Sequence, residues 1–391
     1  MNPRLRVLLF GNHSEGDGYP RLRVLAAGLR EHGVEVLETR VPLLEGEGAR
    51  ARAVSSPLGF LRASIEAAKM QARLRRAYHG APEHDAVIAG YPGHAAVKAA
   101  RRANRDRRRP ILLDAFFSLH DTVVNDRRLA PARSLRARAL RHLDVSSCAA
   151  ADLVFTDTGE HARYFADELG VPPGKILVVP VGAMPFGGPS PGRAPRPPGR
   201  PLEVLFFGTF VPLQGAPVIV EALAALRGGG VRLTMVGRGQ DLPAARERAA
   251  SLGLSPSVLE WVEGFLPRAD LDRRLAAADV SLGIFGTSAK ASRVVPCKVF
   301  DGLAAGRPVV TADTPAARAL VRDGEEALLV PAGDPAALAS ALERLRDDPG
   351  LRARLAEGAR RLWGARLAPG RVVEGLMESL ERLCRDRPRT A

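Results

Sequence analysis

Twelve short apolar runs, most of them followed by a stretch with helical spacing, limit what this chain can fold into. In chain order they are LRVLLFG, VEVLETR, AVIAGY, ILLDAFF, LVFTDT and ILVVPVG, then EVLFFGT, VRLTMVG, VLEWVEG, VSLGIF, RPVVTAD and ALLVP. Nearly continuous apolar runs suit strands covered on both faces, and the longer helical stretches are the crossovers that parallel strands need. The alternation breaks once, between Pro185 and Pro201, where seven Pro and four Gly in seventeen residues can continue neither helix nor strand. A chain of 391 residues also exceeds what one core usually covers. The expectation is the α/β class with two doubly wound domains, residues 1–185 and 202–365, joined by a linker over 186–201. A helical segment, 366–391, is expected to pack back toward the first domain. Parallel sheets of this kind bind ligands beyond the carboxyl ends of their strands, and both sets of ends are expected to face a central cleft.

The balance of 46% hydrophobic residues excludes a largely disordered chain. Cys148, Cys297 and Cys384 lie far apart, with no metal-ligand spacing and no even framework, which fits a reducing compartment without disulfides or zinc. The first apolar run is only about five residues, too short for a signal peptide or a membrane span, so a cytoplasmic location is expected. Charge is the unusual feature. The net +14 is concentrated early, with 30 basic against 20 acidic residues through residue 199 and 27 against 23 beyond. Such segments can meet nucleic acid, an anionic membrane or an acidic substrate, or form an arginine-rich solvated surface. They carry few aromatic residues for stacking, so no specific nucleic-acid partner is expected. In SIEAAKMQARLRRAY, Ile65, Met70 and Leu74 can share a helical face amid Arg73, Arg75 and Arg76, which would permit peripheral contact with the anionic inner membrane face; the alternative is a soluble enzyme acting on a small-molecule acceptor.

Candidate ligand residues stand at strand ends. GNHSEGDGYPR follows the first run, and its glycines serve a structural turn or a ligand loop. His13, Asp17, Tyr19 and Arg21 favour the second and are assigned to the acceptor side. After the fourth run, Asp114, His120 and Asp121 can reach a cleft, although a lone His is often structural. FFGTFVPLQG and MVGRGQ repeat a strand-end glycine pattern in the second half, at Gly208 and Gly237. Asp270-Leu271-Asp272 looks like a metal-holding pair, but Asp270 is placed to cap a helix, so no metal site is expected. In VVPCKVFDGLAAGRPVV, Pro and Gly punctuate a short helix with Lys298 and Asp301 three apart on one face. An ordinary surface ion pair is the plain explanation, but its Lys-before-Asp order does not suit the helix dipole, and a phosphate at the helix start with a sugar hydroxyl one turn along is the favoured reading.

Together these segments resemble the retaining glycosyltransferase family 4, whose GT-B architecture is two Rossmann-like domains. PCKVFDGLAAGRPVVTAD is similar to the family's Pro-x-Lys-x-Phe-Glu-x-x-Ala-x-Gly-x-Pro-Val signature, with FFGTFVPLQG, MVGRGQ, VEGFLPRADLDRRLAAADV and GEEALLVPAGDPAALASAL in family order. The resemblance is specific over most of 201–363 and looser before 185. It implies a nucleotide-diphosphate sugar co-substrate and no cofactor, with Asp301 on the ribose, Phe265 and Leu266 flanking the base and His120 near the transferring sugar. The sequence departs from the family at Arg293, where a paired acid is usual, at Asp301, which replaces Glu, and at Thr209 and Gln214, where basic residues are common. Neutralising the diphosphate is then left to Lys298 and Arg293. Lys298 is one catalytic candidate, and His120, which the resemblance puts near the transferring sugar, is the other. The acceptor, lipid-linked or a small molecule, is open. Competing readings are a nucleotide-sugar epimerase of the same architecture and a non-catalytic basic protein that binds membrane or nucleic acid.

Overall fold

A computed structural model describes residues 4–11, 20–42, 57–104, 109–187, 199–226 and 229–386, and only the backbone at 57–65 and 67. Most of the expected linker, and His13, Asp17 and Tyr19, lie outside the described residues. Contacts divide the chain into two compact units, Met1–Pro180 with Pro369–Ala391, and Val181–Ala368.

The first unit runs β1 (Arg6–Gly11), α1 (Pro20–Glu31), β2 (Glu35–Arg40), α2 (Pro57–His79), β3 (Ala86–Ala89), α3 (His94–Ala103), β4 (Ile111–Asp114), α4 (Leu135–Ala150), β5 (Leu153–Thr156), α5 (Gly159–Asp167) and β6 (Ile176–Val178). Its six-stranded sheet has the order β2-β1-β3-β4-β5-β6, with every pair parallel. Apart from the edge strand β2, EVLETR, the strands read as nearly continuous apolar runs because helices cover the sheet. Val7, Leu8, Val87, Ile88, Ile111, Leu112 and Val154 are fully buried.

The second unit repeats the plan with β7 (Leu202–Thr209), α6 (Ala216–Ala225), β8 (Val231–Arg238), α7 (Leu242–Ser251), β9 (Leu259–Glu263), α8 (Arg268–Ala277), β10 (Val280–Leu282), α9 (Cys297–Ala304), β11 (Val309–Ala312), α10 (Pro315–Leu320), β12 (Leu328–Val330), α11 (Pro335–Asp347) and α12 (Pro349–Leu362). The order is β12-β11-β10-β7-β8-β9, again all parallel. All twelve apolar runs are strands, and the fold is α/β of GT-B type. The second unit begins at Val181 because Ala183 is tied to its far end: the Ala183 amide donates to Leu367 O and its carbonyl accepts from Trp363 Nε1, each at 3.1 Å. The chain returns to the first unit with α13 (Pro369–Val372) and α14 (Glu374–Arg385). There α13 lies so close to α1 that a Cβ at Gly28 would stand 2.2 Å from Pro369 O.

One part of the membrane-facing expectation is corrected: Met70 and Leu74 of α2, with Tyr78, belong to the first unit's core with Val97 and Ala100 of α3, so these two side chains are covered by the protein itself while Arg75 and Arg76 stay exposed. Among the described residues no helix is long and apolar enough to cross a membrane.

Candidate nucleotide-sugar site

Helix α9 lies hard against its sheet at Gly302. A Cβ at Gly302 would stand 2.8 Å from Val309 Cγ2 and 3.2 Å from Ser281 Cβ. It closes in a left-handed turn, Gly306 at φ 59°, with the Arg307 amide donating to Gly302 O at 2.9 Å and the Gly306 amide to Leu303 O at 3.0 Å. At its start Pro296 occupies the N-cap and offers no side-chain acceptor to the first amides.

Lys298 and Asp301 do share a face, but both are buried, each 4% exposed, and they are not an ion pair with one another at the surface. Lys298 reaches the carboxyl end of β7. Its Nζ donates to Gln214 Oε1, stands 3.8 Å from the centroid of the Phe206 ring, and would be 3.2 Å from a Cβ at Gly208. Burial pushes its pKa well below the ordinary lysine value. Asp301 instead accepts from Arg268 Nη1 at 2.8 Å, while Arg268 Nε stands 2.9 Å from Asp272 Oδ1. Sequence reasoning missed Arg268, which lies 33 residues from its partner with no local pattern to connect them.

The expectation that Asp270 caps a helix is corrected. The helix begins earlier, at Arg268 with Pro267 as N-cap, which leaves Asp270 inside the first turn and paired with Arg273. Gly237, at φ 143°, allows β8 to close on β7, since a Cβ there would lie 1.8 Å from Gly208 O. Thr209 ends β7 opposite Arg238, and the Arg238 guanidinium stacks 4.7 Å over the ring of Phe265, a side chain 47% exposed. Leu266 packs, partly buried, on the cluster of Leu205, Phe207, Val236 and Leu275. Arg293 is half-buried, and its amide donates to Lys290 O at 3.0 Å. The second unit thus brings Gly208, Gln214, Gly237 and Lys298 together, with Asp301 one turn along α9.

In the first unit, Arg21 is enclosed by the protein itself. It is 2% exposed, its Nε donates to both carboxylate oxygens of Asp114 at 2.9 and 3.1 Å, and its Nη1 donates to Val179 O at 3.0 Å. Burial raises the Asp114 pKa even beside this guanidinium. Asp121 is likewise fully buried, accepting from Asn125 Nδ2 at 3.0 Å within a π-helical turn, Asp121–Asp126. A long polar side chain at a strand end reads as ligand-facing in sequence. Here the ends of β4 and β6 fold over it. His120, half-buried, immediately precedes the π-helical turn. Burial pushes the Cys148 thiol up to about 12, which makes it a poor nucleophile. Among the described residues no group of three or more His, Cys, Asp or Glu side chains is arranged to hold a metal ion.

Two family models match, one to each half: "Glycosyl transferase 4-like domain" over residues 19–182 and "Glycosyl transferases group 1" over 201–348. The chain belongs to glycosyltransferase family 4. Similar family members include the D-inositol 3-phosphate glycosyltransferase of Acidothermus cellulolyticus, 36% identical over 54% of this chain and 49% of that one. The phosphatidyl-myo-inositol mannosyltransferase of Mycobacterium leprae is 38% identical over 40% of each chain. The chain spans about half the length of the curated relatives it matches, or somewhat less. Among solved structures, Anabaena HepE in complex with UDP and glucose shares the fold at a TM-score of 0.69 and 19% identity, covering 97% of this chain and all of that one. Sucrose-phosphate synthase from Thermosynechococcus elongatus does so at 0.70 and 17%, covering 98% of this chain and all of that one.

Proposed function

We propose that the protein transfers a hexosyl or N-acetylhexosaminyl group from a nucleoside-diphosphate sugar to an acceptor hydroxyl, with retention of anomeric configuration. The observation that carries this reading is the placement of Lys298 and Asp301. A lysine lodged at Gly208, beside the uncapped start of α9, suits a diphosphate, and a carboxylate one turn along suits ribose hydroxyls. As the bond from sugar to phosphate breaks, negative charge grows on the leaving diphosphate. Lys298 and the first amides of α9 stabilise that charge without a protein nucleophile. A diphosphate oxygen taking the place of Gln214 Oε1 favours the charged form of Lys298, and Arg268, donating at 2.8 Å, orients the Asp301 carboxylate. Phe265, stacked by Arg238, offers its ring to the base.

HepE, seen with UDP-glucose, supports a uridine nucleotide among the donors to be tried. The inositol-type relatives support an acceptor bearing a polyol, either free or lipid-linked. With Met70 and Leu74 of α2 buried, contact with an anionic membrane rests on exposed arginines such as Arg75 and Arg76, as electrostatic association. The test is thermal stabilisation by a panel of UDP-, GDP-, ADP- and dTDP-sugars, with and without EDTA, followed by NMR of the product's anomeric proton. Stabilisation by a nucleotide sugar in EDTA, with a product of the donor's configuration, supports the reading. An inverted product, or no response to any donor, counts against it.

A further inference from the structure

Asp144, on α4, is 1% exposed and gathers four donors. Its Oδ1 accepts from the Leu119 amide at 2.9 Å and faces His94 Nε2 at 2.8 Å. Its Oδ2 accepts from the His120 amide at 2.9 Å and from Ser118 Oγ at 2.7 Å. Two successive main-chain amides and the hydroxyl before them therefore converge on one carboxylate, as they would on a bound anion. Ser118 Oγ in turn accepts from the Asp121 amide at 3.0 Å, and beyond the π-helical turn Arg128 adopts φ 52°. π-Helical turns and left-handed non-glycine residues are uncommon, and they persist where surrounding structure holds them. Burial acts to raise the Asp144 pKa, but hydrogen bonds from His94, His120 and Ser118 outweigh it and hold the carboxyl below its ordinary value.

We propose that Asp144 is a positioning residue: it fixes the main chain at His120, and hence the direction from which the imidazole meets the transferring sugar, while His94 of α3 holds the carboxylate. With four donors around a buried carboxylate, Asp144 has no face left for substrate and acts through His120. The inference rests on the reading that His120 serves the transfer. Its test is a double-mutant cycle on donor hydrolysis, followed as nucleoside diphosphate released from the nucleotide sugar that stabilises the wild-type protein most. Asp144→Asn, close in shape, is expected to lower kcat about 100-fold with little change in the donor KM. In a His120→Ala background the same substitution is expected to change kcat less than twofold, because the residue it positions is gone. Equal losses in both backgrounds, or no loss in either, overturn the proposal. A fully active His120→Ala enzyme overturns the role of His120 and this inference with it, whereas an inactive His120→Ala beside a fully active Asp144→Asn overturns this inference alone. Should Asp144→Asn fail to fold, Ser118→Ala removes one donor and carries the same cycle. It is expected to lower kcat roughly five- to tenfold with His120 present and not at all without it.

Discussion

The Lys298 ammonium stands 3.8 Å from the centroid of the Phe206 ring and donates to Gln214 Oε1, so a cation from α9 is lodged at the carboxyl end of β7. Thr209, which ends β7, and Gln214 beyond it carry no charge. The positive charge at this strand end therefore comes from α9.

That position makes Lys298 costly to the fold near neutrality. Its folded pKa lies below that of the unfolded chain, so between the two values the unfolded state binds more protons, and stability rises with pH through that window. Lys298→Met is expected to raise the melting temperature by a few degrees at pH 7, with the gain shrinking as pH climbs toward the ordinary lysine value. The same variant should lose donor turnover. Melting curves across pH check the first expectation, and a Lys298→Met protein less stable than wild type at pH 7 contradicts it.

Gly237→Ala should be severe, because its Cβ would stand 1.8 Å from Gly208 O at a backbone angle that other residues rarely adopt. A loss of roughly 3 kcal/mol or more is expected, read by chemical denaturation. Near wild-type stability would show that the two strand ends can separate freely.

Phe265→Ala should divide binding from folding. The side chain is 47% exposed, so its removal should leave the melting temperature nearly unchanged while weakening nucleotide binding by about 1–3 kcal/mol, the range for one base stacked on an aromatic ring. Isothermal titration with the free nucleoside diphosphate measures this, and unchanged affinity removes Phe265 from the base site.

The parts of the fold written in local pattern were legible in sequence. All twelve strands fall on the apolar runs, although β2, β8 and β9 also carry charged residues, and α9 is bounded by Pro296 and Gly306 as its punctuation indicates. Spacing also placed Lys298 and Asp301 on one face. It could not give their partners, Gln214 at a separation of 84 residues and Arg268 at 33, since those depend on how β7, α8 and α9 come together. Nor could it show that Arg21 is enclosed by Asp114 and Val179, or that Asp144, 24 residues past His120 on another helix, holds the His120 amide. The face of α2 misled for a related reason: a basic amphipathic helix has the same sequence whether its apolar side meets lipid or a neighbouring helix.

The central claim, that α9 holds a nucleoside-diphosphate sugar through Lys298 and Asp301, is tested most directly by titrating wild-type and Asp301→Asn protein with the nucleotide sugar that stabilises the wild type most. Asparagine keeps the shape beside Arg268 but removes the charged acceptor for the ribose hydroxyls, so affinity should fall by ~1.5–3 kcal/mol, about 10- to 100-fold, in a protein that melts cooperatively. Equal affinity in a folded Asp301→Asn protein would contradict the claim.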